Sequence, residues 1–192
     1  MPGLSRRPRG DSHPARDAAA LVLRTTLGPM LVAHGWNKVA GPGGLQGTTG
    51  WFEALGLRPA AAHARLAAGT EIAAGAGLTL GLAAPLPAAG TVGLMAVAAA
   101  TDHRGKGFFV FKGGWEYVGV VGGAAVALAA LGHGRYSLDT ALRRRDRSGG
   151  GAALTAAGLG LAGATALLAA CYRPDQKTED EETSSMEAPT SP

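Results

Sequence analysis

Apolar and small residues fill five runs of this chain, at 18–39, 60–83, 86–101, 115–131 and 150–171, and polar or glycine-rich segments separate them. Each run comes near the roughly 20 residues that carry a helix, at about 1.5 Å per residue, across a hydrocarbon core of about 30 Å. The pattern predicts an all-α protein that crosses a bilayer several times. Charges inside the runs are sparse: Arg24, His34 and Lys38 in the first, His63, Arg65 and Glu71 in the second, none in the third. Pro29 beside Gly28 is expected to kink the first helix at a point of close packing.

The segments between the runs have their own signatures. Residues 1–17, rich in Pro, Arg and Gly, are expected to be disordered, as is the acidic Ser/Thr/Pro-rich stretch 172–192. In the first loop GPGGLQG is expected to hold no helix. TTGWFEALGL then reads as a short amphipathic piece capped by Thr48 or Thr49, with Trp51, Phe52 and Leu55 either on the membrane surface or packed as a lid. Phe108, Phe109, Phe111, Trp115 and Tyr117 crowd into ten residues although aromatics are 5% of the chain. Such rings gather where hydrocarbon meets headgroup. A basic linker at 143–149 precedes the last run.

Composition sharpens this picture. The hydrophobic fraction is 46% and mean hydropathy +0.11, averages pulled down by polar ends about a quarter of the chain in extent. Glycine, 31 of 192 residues, has no three-residue period, so collagen is excluded, and with Ala it suits helices packed closely in lipid. Net charge is +4, but the basic residues cluster beside apolar runs, which points to anionic lipid and topology and away from nucleic acid. Arg6, Arg7, Arg9 and Arg16 precede the first run, and Arg135, Arg143, Arg144, Arg145 and Arg147 follow the fourth. Four crossings place both clusters on one side, expected to be cytoplasmic with the N-terminus. Ser5-Arg6-Arg7 has the look of a twin-arginine signal, but Asp11, Arg16, Asp17 and Arg24 break the apolar stretch, so a retained basic terminus is expected. The lone Cys171 allows no internal disulfide and no CxxC pair.

Ionisable residues inside a bilayer are costly and usually face the protein interior in pairs. Arg24 and Glu71 are the most buried candidates, and an Arg24–Glu71 ion pair would serve either a polar site or simply the joining of two helices. His34 and Lys38, four apart, share a helix face. His103 ends the third run and Glu116 begins the fourth, at the same level. The candidate site is therefore a polar pocket of Arg24, His34, Lys38, Glu71, His103 and Glu116, roofed by Trp51, Phe52, Phe109, Trp115 and Tyr117. The competing expectation is a set of interfacial residues, each snorkelling to water separately. No tight ligand spacing predicts a metal site, and no segment matches a phosphate loop.

Several motifs occur together and in order. Leu21-Val22-Leu23-Arg24 with His34-Gly35-Trp36-Asn37-Lys38 resembles the first helix of the DoxX family of small integral membrane proteins, and Trp51-Phe52-Glu53-Ala54-Leu55-Gly56-Leu57 resembles its first loop. Glu71 stands where that family has a glutamate. Gly107 through Gly113-Gly114-Trp115-Glu116-Tyr117 is similar to its third loop and fourth helix, and Gly134-Arg135-Tyr136-Ser137-Leu138-Asp139 to its ending. The resemblance implies a four-helix membrane bundle over 18–142, to which 150–171 adds a fifth transmembrane helix. It further implies a plasma-membrane, redox-associated subunit linked to quinone or thiol and sulfur electron transfer. The partners it implies are a soluble oxidoreductase or other membrane-complex subunits, with quinone as the cofactor to look for. The alternatives are a non-enzymatic scaffold or assembly factor and a small-solute carrier.

Overall fold

A computed structural model of the protein describes residues 14–174. The expected disorder at residues 1–13 and 175–192 lies outside the described residues. Helix α1 spans Pro14–Ala40, α2 Gly44–Ala54, α3 Ala60–Leu80, α4 Leu86–Ala100, α5 Glu116–Leu131, α6 Leu138–Ala141 and α7 Gly150–Cys171. A 3₁₀ turn occupies Val110–Lys112, and among the described residues the only extended pairing is one antiparallel bridge, Leu57 to Tyr172. The fold is all-α, and the five apolar runs each became a helix.

Three local expectations are corrected. Residues 14–17 belong to α1 and are not disordered: Arg16 donates to the Leu131 carbonyl at 2.6 Å and pairs with Asp146 at 2.6 Å. Tyr172, placed in the disordered tail, bridges to Leu57. Helix α2 begins at Gly44, inside the glycine-rich stretch read as non-helical. Its entry is Gly43 in the left-handed region at φ 78°, and Thr48 is no cap. The Thr48 hydroxyl instead bonds the Lys38 and Gly44 carbonyls, both at 3.1 Å. Docking on α1 and α3 supplies what glycine withholds from this helix.

Helix α1 packs on α3, α3 on α4, α4 on α5, and α5 returns to α1, while α7 lies against α4 and α5. The α1/α3 seam depends on small residues spaced seven apart on each helix, which share a face. A Cβ on Gly28 would fall 2.7 Å from the Gly75 carbonyl oxygen, and one on Gly35 would fall 2.8 Å from that of Ala68. Rising numbers on one helix meet falling numbers on the other, so the two are antiparallel. Leu27, Leu31, Leu78, Val92, Val121, Ala125 and Leu128 fill the space between the helices.

One end of the molecule is knitted by arginine. The buried Arg24 donates to the carbonyls of Leu78 (3.0 Å), Thr79 (2.7 Å), His133 (2.9 Å) and Tyr136 (2.7 Å). Two of these oxygens lie in the last turn of α3, where carbonyls short of helical donors favour a cation, although that of Leu78 also accepts from the Gly81 amide at 3.1 Å. The chain leaves α3 through Gly81 at φ 62°, where a Cβ would lie 2.6 Å from the Arg24 guanidinium carbon. Asp139 accepts from the Ala83 amide at 2.8 Å, so the 134–139 motif wraps the turn between α3 and α4. An Arg24–Glu71 pair is absent: Arg24 is consumed by backbone oxygens at this end, and Glu71 lies more than a helical turn further along α3.

Among the described residues one helix, α7, with a mean hydropathy of 1.8 over its best window, is long and apolar enough to cross a membrane. Helices α4 and α5 are apolar but shorter, at 15 and 16 residues.

Candidate functional site

At the other end a cavity of about 570 Å³ opens among α1, α2, α3, α4, α5 and α7. Its walls are mostly apolar, and its polar groups gather toward α2 and the α4–α5 loop: His34, Lys38, His63, Thr70, Glu71, Thr101, Asp102, His103 and the Tyr117 side chain all line it.

Lys38 and Glu71 form the centre of this group. The ammonium bonds both carboxylate oxygens, at 2.8 and 2.7 Å, with the carboxylate side chain 8% exposed. Gly35, one turn before Lys38, lets α1 approach α3 closely enough for the pair to form, since a Cβ there would lie 2.9 Å from that of Glu71. An ammonium carries three donors, and two are committed here, so one N–H remains for a ligand acceptor.

Two further couples flank the pair. The Tyr117 hydroxyl lies 3.2 Å from His34 Nε2, with the Met30 sulfur at 3.6 Å. His103 Nδ1 is 2.6 Å from the Gly113 carbonyl, which can only accept, so Nδ1 carries the proton and Nε2 faces Asp102 at 4.0 Å. His63 is buried, and its Nε2 donates to the Arg58 carbonyl at 3.2 Å. Each imidazole keeps one nitrogen for other duty, which suits proton transfer.

Of the residues singled out from sequence, His34, Lys38, Glu71 and His103 line one cavity with Trp51, Phe52 and Tyr117. Arg24 belongs to the opposite end. Glu116 does not line the cavity, because its carboxylate turns back to accept the Val110 amide at 3.0 Å and closes the loop before α5. Phe109 and Trp115 also stay outside. Trp115 sits edge-on to Phe108, with centroids 5.0 Å apart, and Phe109 stacks on Phe111 at 5.3 Å. Trp51 and Phe52 form the α2 side of the cavity, in edge contact at 5.2 Å.

Sequence reasoning left out His63, Thr70 and Asp102. His63, Ala67, Thr70 and Glu71 follow the i, i+4, i+7, i+8 spacing of one helix stripe, a signal that could have joined them. Asp102 is simply the neighbour of His103. The contribution of Leu159, Gly160, Gly163, Ala164 and Leu167 on α7 had no local signal at all. Among the described residues no three His, Cys, Asp or Glu side chains converge as a metal site would require.

Compared with known proteins, residues 19–104 match the family model DoxX, a segment that takes in α1 to α4 and stops short of the aromatic loop. No curated protein and no solved structure matches the chain.

Proposed function

The chain belongs to the DoxX family of small membrane proteins through residues 19–104, and from that membership we propose a multi-pass plasma-membrane subunit of a redox complex, holding a quinone headgroup at its cavity end. The observation that carries this reading is the convergence of Lys38–Glu71, His34–Tyr117 and His103 at one end of an otherwise apolar cavity. Ligand sites commonly combine apolar walls with a few converging polar groups at such volumes.

The multi-pass arrangement draws on where charge and hydrocarbon lie. Arg24 and Glu71 are 4% and 6% exposed, whereas Val22, Leu80, Val120 and Leu154 stand on the surface. Buried charges together with a surface rich in Val and Leu suit lipid as the solvent. The ring of α1, α3, α4 and α5 is then a four-helix bundle in the bilayer, with α7 added on the α4 and α5 side.

Chemically, the free N–H of Lys38 offers a donor to a carbonyl oxygen, and Glu71 holds that ammonium in place. The His34–Tyr117 couple supplies a proton from the same wall, and His103 Nε2, which carries none in the neutral ring, accepts and relays one. A quinone held by these residues would supply two-electron, two-proton chemistry, with the electrons coming from a partner oxidoreductase. The chain itself orients the headgroup and delivers protons.

Purified full-length protein is expected to bind a quinone, and Lys38→Met and Tyr117→Phe to weaken binding about tenfold or more. Absence of binding, or binding untouched by both substitutions, removes the reading. Mild-detergent purification with partner identification is expected to bring down an oxidoreductase. Partners unrelated to electron transfer would favour the scaffold reading, which the exposed Arg143, Arg144, Arg145 and Arg147 support.

A further inference from the structure

Resting on that reading of the polar end, we infer that the ligand's apolar tail enters sideways from the bilayer, between α3 and α7, and that α7 selects the tail. Helix α7 packs on α4 and α5, and α3 on α1, α2 and α4, so α3 and α7 flank α4 like two jambs. Both jambs line the cavity, and its floor is α4. Leu66 on α3, Leu86 on α4 and Leu159 on α7 are cavity walls and yet 54%, 56% and 54% exposed. A cavity whose wall residues are half on the surface opens at that point, and here the opening is rimmed by leucine. At the α2 end Leu167 and Tyr172 close against the cluster of Phe52, Leu57, Ala60 and Ala64. The mouth is therefore lateral, at the depth of the apolar runs.

The polar groups sit near Thr101, and the α4 floor continues to Leu86, about four helical turns or ~22 Å away. That stretch is lined by Ala89, Gly90, Gly93, Leu94 and Val97, with no charged side chain. It fits an alkyl or isoprenoid chain. On the α7 side Gly160 is locked against α4, since a Cβ there would fall 2.7 Å from the Ala89 carbonyl oxygen and from the Val92 Cβ. Gly163, one turn on, is different: a Cβ there meets nothing within 4 Å, although the residue lines the cavity. Its missing side chain is open room at the mouth. Helix α7 lies outside the segment that matches the family.

The test uses the full chain in lipid nanodiscs, with Trp36→Phe and Trp115→Phe leaving Trp51 as the sole reporter on the cavity. The probes are decylubiquinone and the same headgroup without a tail, titrated by Trp51 quenching. Gly163→Phe is expected to weaken the decyl probe about tenfold or more and the tail-less one less than about twofold, with Gly163→Leu intermediate. Leu161→Phe, exposed at 53% and outside the cavity lining, is expected to change neither. Equal loss for both probes, or loss for neither, overturns the portal. If neither quinone binds the unblocked protein, the headgroup reading fails by itself, and 1-bromodecane then tests the portal alone. Its quenching of Trp51 falls in Gly163→Phe but not in Leu161→Phe if chains enter between α3 and α7. The same quenching in all three proteins overturns the portal.

Discussion

Lys38 and Glu71 hold each other in a cavity that water reaches poorly, so the two charges are stable only as a pair. Removing one partner leaves the other desolvated, a change that costs about 3–5 kcal/mol, whereas replacing both with apolar groups is often neutral. Lys38→Met should therefore lower the melting temperature of the detergent-purified protein strongly, and Lys38→Met with Glu71→Leu should recover most of the loss. A double variant as unstable as the single one would mean that the pair is not the stabilising unit. The sequence made half of this visible. The four-residue spacing of His34 and Lys38 and the isolation of Glu71 in an apolar run marked them as a site. It also suggested Arg24 as the partner of Glu71, because a buried arginine invites a carboxylate. The actual partners of Arg24 are backbone carbonyls from 78–79 and 133–136, which no side-chain pattern announces. Arg24→Lys should accordingly be poorly tolerated even though charge is kept, since an ammonium cannot span the oxygens that a planar guanidinium fork reaches. A loss of about 1–3 kcal/mol, read by thermal unfolding, is expected.

Among the elements, α1 and α3 show how glycine was legible as a tendency without its address. Abundant Gly and Ala predicted close helix packing, and the structure puts it at Gly28 on Gly75 and Gly35 on Ala68. Gly75→Val should force these helices apart, since a Cβ there would sit 2.6 Å from the Gly28 carbonyl oxygen. The expected cost is about 1–3 kcal/mol or more, with displacement of Lys38 from Glu71 and loss of ligand binding. Gly123→Ala in α5 meets nothing within 4 Å and should gain about 0.5–1 kcal/mol from helix propensity alone. Melting curves of the two variants moving in the same direction would contradict this account of the seam. The helix that sequence reasoning cut short, α2, failed for the converse reason. Glycine-rich GPGGLQG has poor helix propensity, and packing against α1 and α3 overrode it. The run at 150–171 was read with its bounds intact because it is long and apolar and has no charge and no proline.

At the scale of the whole molecule the two ends differ in kind, and the difference predicts an orientation. One end gathers Arg16, Arg135, Arg143, Arg144, Arg145 and Arg147, and the sequence leading into α1 adds Arg6, Arg7 and Arg9. The cavity end carries Arg58, Arg65, Arg104, Lys106, Lys112 and Arg173, more thinly spread. Orientation follows the concentration of Lys and Arg in short segments near the helix ends, and acids count for little. The arginine end should thus be cytoplasmic, which would place the cavity's polar groups at the outer face. Reporter fusions after Pro85 and Arg145 should be active in the cytoplasm, and those after Gly44, Lys112 and Pro174 outside it. The pair at Lys112 and Arg145 is a decisive one, because α5, at 16 residues, covers only about 24 Å and, with the 15-residue α4, is one of the two crossings that length alone would doubt. Both reporters on one side would mean that α5 does not traverse, and the ring of α1, α3, α4 and α5 could not then stand upright in a bilayer. Opposite sides, with Arg145 inside, would fix the cavity's polar end toward the exterior and its leucine-rimmed mouth toward lipid.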